Sequence, residues 1–178
     1  MSNVKKLITA AVLLALVIIM TRFLSIQTPF LRIGFSFIPI ILSAILLGPA
    51  WSTIIAGIAD LIGVFLFPSG AFFIGFTLSA FLTGLIYGLF LYKKDGIFET
   101  KALLIRLILS SLIVLILIGG LLNSYWLFLM YDKGFMAIMP MRVVKELIML
   151  PIQVIVIFLI EKAMRKPFTR YMFSEAKR

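Results

Sequence analysis

Residues 34–67 read GFSFIPIILSAILLGPAWSTIIAGIADLIGVFLF and carry a single charge, Asp60. The run is too long for one crossing of a hydrocarbon core about 30 Å thick, which takes about 20 apolar residues. Gly48-Pro49 divides it. Proline disfavours helix at the residue before it and suits the first position of a new one. The stretch therefore predicts two consecutive membrane helices, Gly34–Leu47 and Ala50–Phe67. Both are near the short limit for a crossing. Tilting cannot lengthen a short helix, so local thinning or burial against neighbours is expected.

The remainder of the chain has the same character. Of its 178 residues, 63% are hydrophobic and 13% charged, and the mean hydropathy is +1.20. No soluble domain has that balance. Working outward, helix 1 is expected over Lys5–Phe23, with a loop over Leu24–Arg32. Pro68-Ser69-Gly70 is a turn signal, followed by helix 4 over Ala71–Tyr92. A polar connector, Lys93-Lys94-Asp95-Gly96, leads to helix 5 over Lys101–Trp126. Helix 6 is expected over Met141–Met164, with Pro140 placed to start it. The expectation is an all-α membrane protein of six transmembrane helices, a single transmembrane domain over residues 1–178. The first apolar run follows Lys5-Lys6 but lacks a small-residue cleavage region, so it reads as a retained span. This leaves no room for a soluble catalytic domain, and the chain does not read as an enzyme. It has no cysteine and no histidine. That removes disulfides, thiol chemistry and the commonest metal ligands, and no cofactor is implied.

Orientation follows from where the lysines and arginines fall. An even number of spans puts both termini on one side. Twelve of the seventeen cations lie there, from Lys5 and Lys6 to Lys177 and Arg178. Both termini are thus expected in the cytoplasm. The net charge of +10 is a topology signal facing anionic lipid and does not point to nucleic acid.

The outer five are Arg22, Arg32, Lys133, Arg142 and Lys145. Lys133, beside Asp132, reads as solvated loop charge. The other four map to the outer ends of apolar helices. A charge at the bilayer centre costs about 2.5–3.5 kcal/mol on insertion scales and less near the interface, so such residues usually face a bundle interior. Arg142 and Lys145 are three apart and share a face. At the start of helix 6 they would also oppose the helix dipole, which a bound anion or Glu146 would offset. Two readings stand: an anion site, or an internal ion-pair network with Glu146. Snorkelling to lipid phosphate is the other reading of Arg22 and Arg32. Asn123 and Trp126, co-facial at the end of helix 5, lie at the same level, with Tyr131 beyond. An amide beside a large π face suits a flat heteroaromatic ring, whereas an interfacial aromatic belt is the plainer account.

Asp60 is an intramembrane carboxylate, and internal pairing with an outer cation is its expected role. Small residues mark close helix contacts: Ala11 and Ala15 on helix 1, and Ala80, Gly84 and Gly88 on helix 4. The loop around Gln27–Arg32 and the turn at Phe67–Gly70 are expected to cover a ligand, with Phe30, Phe67 and Phe72 over its rings.

These residues resemble the S components of energy-coupling factor (ECF) vitamin transporters, and the resemblance spans essentially the whole chain. Ala11-x-x-x-Ala15 is similar to the element by which S components dock on their transmembrane coupling subunit. Leu31-Arg32-Ile33-Gly34-Phe35, Pro39 and Gly48-Pro49 are similar to the first loop and second helix of the family. Asp60 also recurs across S components. Asn123-x-x-Trp126-Leu127, Tyr131, Arg142-x-x-Lys145 and Pro151 resemble the folate-specific members, although Glu146 stands where an amide is expected in many relatives. The resemblance implies a folate-binding subunit in the lipid bilayer of a bacterial-type cell. It implies as partners the ECF coupling subunit and two ABC-type ATPases. Arg22, Gln27, Arg32, Asn123, Trp126, Tyr131, Arg142 and Lys145 would then be the substrate-binding set. The chain has no GxxxxGK[ST] phosphate loop of its own. An S component for another anionic vitamin, or a non-binding structural subunit, are the rival readings.

The charge distribution makes one direct prediction. Tags at either terminus should be reached only after the membrane is permeabilised, whereas a tag beside Gln27 should be labelled on intact cells. An externally accessible C-terminus would reverse the orientation.

Overall fold

The computed structural model describes residues 2–27, 32–68, 72–94, 98–131 and 135–173. Helix α1 spans Asn3–Arg22 and opens on Ser2, whose hydroxyl accepts from the Lys5 amide at 3.4 Å. Then come strands β1, Ser25–Gln27, and β2, Arg32–Gly34. Helices α2, Phe37–Leu47, α3, Pro49–Leu66, and α4, Ile74–Leu91, follow. Helix α5, Thr100–Ile113, runs on through a π-helical segment, Val114–Leu122, into α6, Asn123–Tyr131. Helix α7 spans Phe135–Phe173.

The outside of this bundle is apolar. On α1 a narrow stripe, Ala10, Leu13 and Val17, is buried, while Leu7, Val12, Leu16 and Ile19 on the other faces are exposed. A surface of this kind is stable only in lipid, where every backbone group must be satisfied within a helix. Five helical stretches are long and apolar enough to cross a membrane: Asn3–Arg22, Pro49–Leu66, Ile74–Leu91, Thr100–Met130 and Arg142–Ile160. Helix α2 has 11 residues, which at 1.5 Å per residue is about 17 Å, half the hydrocarbon thickness. Its sides are covered instead. Ile41 and Ala44 are fully buried, in a core shared with Tyr87, Leu91, Leu107 and Ile157.

The break at Gly48-Pro49 falls where the sequence places it. Gly48 has φ +88°, a conformation that side chains resist, and the Tyr92 ring covers it. Three other boundaries differ from expectation. The Leu24–Arg32 segment is not wholly a loop: Ser25 pairs with Gly34, Ile26 with Ile33 and Gln27 with Arg32 in an antiparallel ladder. That pairing removes Gly34 from α2, which starts at Phe37. The strands are too short to show an alternating pattern. Helix 5 is longer than expected, and its middle is π-helical across Gly119-Gly120. Pro140 does not start the last helix but lies inside α7. It forfeits one hydrogen bond near the helix start. The preceding Phe135–Met139 is apolar and tolerates helix, so α7 begins there. Arg142 consequently lies about two turns inside the helix, beyond the first turn where the dipole acts. The expected dipole conflict is therefore weaker than the sequence implied.

Helices α3 and α4 make the most extensive contact in the bundle. Gly84 lies on the backbone of Ser52 and Thr53, and Gly88 on Pro49. The buried Ser52 hydroxyl donates to the Gly84 carbonyl at 2.8 Å. The small-residue stripe of α4 is thus an internal packing surface. Replacing Gly84 or Gly88 by Leu should destabilise the protein by about 1–3 kcal/mol through overpacking. Lipid-facing Leu89→Ala should change stability by less than about 0.5 kcal/mol. Thermal unfolding in detergent distinguishes the two. Equal stability of the glycine variants would remove the packing role.

Candidate functional site

Among the described residues, two polar clusters that contain charged side chains involve Arg22 and Asp60 in one case and Arg142, Lys145 and Glu146 in the other, and α4 touches both. The first joins α1, α3 and α4. The Arg22 guanidinium lies against Gly63, where an added Cβ would meet its Nε at 2.5 Å. Its Nη1 donates to the Phe67 carbonyl at 3.3 Å, and it sits in the field of the Asp60 carboxylate. Asp60 Oδ2 in turn accepts from the Thr77 hydroxyl at 2.8 Å. The structure thus gives Asp60 a polar partner on α4 and a cation on α1. Next to Arg22, Phe23 meets Phe67 edge-on, with ring centroids 5.1 Å apart.

The second cluster joins α4, the π segment, α6 and α7. Trp126 Nε1 donates to Ser79 Oγ at 3.1 Å. Its ring lies 5.6 Å from that of Phe73 and 5.4 Å from that of Tyr125. It also covers Gly75, where an added Cβ would meet the indole at 2.5 Å. One residue before Ser124, the buried Asn123 Oδ1 has no hydrogen-bond partner among the described residues. Across from them, Arg142 Nε donates to the Gly119 carbonyl at 3.3 Å. Lys145 forms an ion pair with Glu146. The Glu146 side chain rests on Gly119, where an added Cβ would meet its Cγ at 3.1 Å.

The residue types of this second cluster suit a flat, anionic molecule. An indole held by an edge hydrogen bond and flanking aromatics offers a rigid face. A buried amide oxygen without a partner is an acceptor waiting for a donor. Two cations on the neighbouring α7 offer charge-assisted hydrogen bonds.

The sequence-derived candidates divide between these clusters and other places. Trp126 and Asn123 stand on α6, and Arg142, Lys145 and Glu146 on α7, which packs on α6 and on the π segment. Arg22, Asp60 and Phe67 form the first. Gln27 and Arg32 are paired across the hairpin, and Tyr131 ends α6; their side chains lie outside the described residues. Phe30, Pro29, Gly70 and Lys133 also lie outside them. Phe67 and Phe72 are 41% and 47% exposed; Phe67 leans on Phe23 and Phe72 on Phe65. Ala11 and Ala15 are both exposed on α1, away from the buried stripe.

Sequence reasoning missed Thr77 and Ser79. Two hydroxyls two residues apart near the start of a largely apolar helix were the available signal. Positions two apart on a helix point about 200° from each other. So Thr77 can reach α3 while Ser79 reaches α6. It also missed Gly119, whose role depends on what α7 places against it.

Comparison with known proteins agrees with this architecture. The sequence matches the family described as ECF transporter, substrate-specific component, over residues 5–161. It is 42% identical over 158 residues to the folate transporter FolT of Clostridium novyi (strain NT), covering 89% of this chain and 88% of that one. It is 36% identical over 178 residues to the folate transporter FolT of Leuconostoc mesenteroides subsp. mesenteroides, covering 97% and 93%. A crystal structure of FolT bound with folic acid superposes with a TM-score of 0.76 at 42% identity, covering 85% of this chain and 89% of that one. With a matched family spanning nearly the whole membrane bundle, the chain belongs to the substrate-specific components of ECF transporters.

Proposed function

We propose that this multi-pass membrane protein is the high-affinity folate-binding subunit of an ECF-type importer in a bacterial plasma membrane. The observation that carries the reading is the 42% identity to a folate transporter over 158 residues. It coincides with a cluster whose chemistry fits each part of folate. The pterin and aminobenzoyl rings are flat and would stack on Trp126 and Tyr131. Ring N–H groups would donate to Asn123 Oδ1, and Gln27 would add a further amide. The glutamate moiety carries two carboxylates, and Arg142 and Lys145, with Arg22 from the end of α1 and Arg32 from β2, would meet them. Phe30, Phe67 and Phe72 would cover the rings.

Folate enters this scheme from outside, with both termini in the cytoplasm and the whole chain acting as one transmembrane domain. Energy would come from a shared transmembrane coupling subunit and two ABC-type ATPases. The exposed Ala11 and Ala15 would form the docking face on the coupling subunit. Small residues there let another helix approach closely.

Two outcomes are expected. Arg142→Ala or Lys145→Ala should each weaken folate binding by about 1.5–3 kcal/mol, the range for a charged hydrogen bond. That is roughly ten- to more than a hundredfold in Kd, and titration calorimetry on the purified protein reads it. Unchanged affinity in both variants would reduce the two cations to structural ion pairing. Ala11→Trp or Ala15→Trp should leave folate binding intact and abolish uptake by the assembled transporter. Normal uptake would remove the docking role from α1.

A further inference from the structure

Glu146 is the one described carboxylate in the second cluster, and its placement is specific. It is ion-paired with Lys145, it lies in the field of Arg142, and its side chain rests on the Gly119 backbone. Arg142 also donates to Gly119, so both side chains converge on one turn of the π segment. Lys145 and Glu146 are only 16% and 19% exposed. Adjacent residues on a helix do not face each other; the long lysine side chain bends to reach the carboxylate. Two cations in a half-buried apolar setting need a counter-charge, and Glu146 supplies it from within the chain.

We propose that Glu146 is an internal counter-anion that occupies the place of a ligand carboxylate between Arg142 and Lys145, and so sets how tightly an anionic ligand binds. The ligand's identity rests on the folate reading above; the counter-anion role rests on the contacts alone. With Glu146 ionised, the three side chains sum to one positive charge. A dicarboxylate arriving there must displace Glu146 from Lys145 and tolerate it as a like-charged neighbour. Without the carboxylate, the same two cations would meet the same two anionic groups with no competitor. Glu146 therefore stabilises the empty site and weakens the filled one. In a subunit that must release its ligand after delivery, that trade favours release.

The test uses the full chain in nanodiscs, with calorimetry on two probes. One is p-aminobenzoyl-glutamate, which carries both carboxylates. The other is 6-methylpterin, which carries none. Glu146→Gln should bind p-aminobenzoyl-glutamate about tenfold more tightly than the unmodified chain, the effect of removing one close like charge. It should bind 6-methylpterin equally well. Glu146→Ser, which also removes the carboxylate, serves if the Gln variant does not fold. Equal or weaker binding of p-aminobenzoyl-glutamate would overturn the proposal. So would a matching change for 6-methylpterin, since Glu146 would then be touching the ring. Folate binding by the unmodified chain is measured alongside. Its absence would sink the folate reading, whereas a gain in the carboxylate probe alone would still support the counter-anion.

Discussion

The close approach of the α3 and α4 backbones is the contact on which the other polar contacts depend. Gly84 and Gly88 leave no side chain between Ser52, Pro49 and the facing turns of α4. The Ser52 hydroxyl then closes the gap with a bond to the Gly84 carbonyl. In lipid there is no hydrophobic drive between helices, so van der Waals packing and such bonds hold them. With α4 fixed in this way, Thr77 is delivered to Asp60 and Ser79 to Trp126. Lower on the same helix, the buried Tyr87 hydroxyl donates to Gln153 of α7 at 3.3 Å. One helix thereby positions groups from α3, α6 and α7.

The buried charges follow the same economy. Among the described residues, Arg22, Arg142 and Lys145 are each met by protein groups. Arg22 reaches a helix-end carbonyl and the field of Asp60. Lys145 meets Glu146, and Arg142 meets the Gly119 carbonyl. Breaking one partner of such a pair leaves an uncompensated charge, which is far costlier than never having the pair. On α5, Arg106 solves the problem differently. It stacks on the Phe98 ring at 4.1 Å and donates to the Phe90 carbonyl at 3.2 Å, so its charge is shared between a π face and a backbone group.

The π segment is the irregular part of an otherwise regular bundle. Wide turns of this kind gather at functional sites in helices. Here the segment ends where Asn123 begins α6, so its winding sets the direction in which Asn123 and Trp126 point. Its Gly119 is also the surface on which Arg142 and Glu146 converge. By contrast α1 is regular, and its Ala11 and Ala15 face outward. The bundle therefore separates an irregular, polar region from a smooth, small-residue flank.

Much of this protein was legible from its residues. Hydropathy and the Gly48-Pro49 break determine an all-helical membrane bundle, because lipid admits few alternatives and proline punctuates helices locally. The residues that stand out were legible too, since cations, amides and aromatics are rare in apolar helices. Asn123 and Trp126 lie on α6 and Arg142 and Lys145 on α7, two helices that pack against each other. Three things were not legible. The hairpin depends on Gly34 admitting Ser25 at close range, a pairing across a loop that three-residue strands do not announce. The extension of α7 through Pro140 depends on one lost hydrogen bond being outweighed by packing along a long helix. The roles of Thr77, Ser79 and Gly119 exist only once α4 is wedged against α3 and α7 against the π segment. Local rules of charge, proline and hydropathy act within a few residues and can be read in order. Which polar groups become partners is decided by helix rotation and depth, and only the packed bundle sets those.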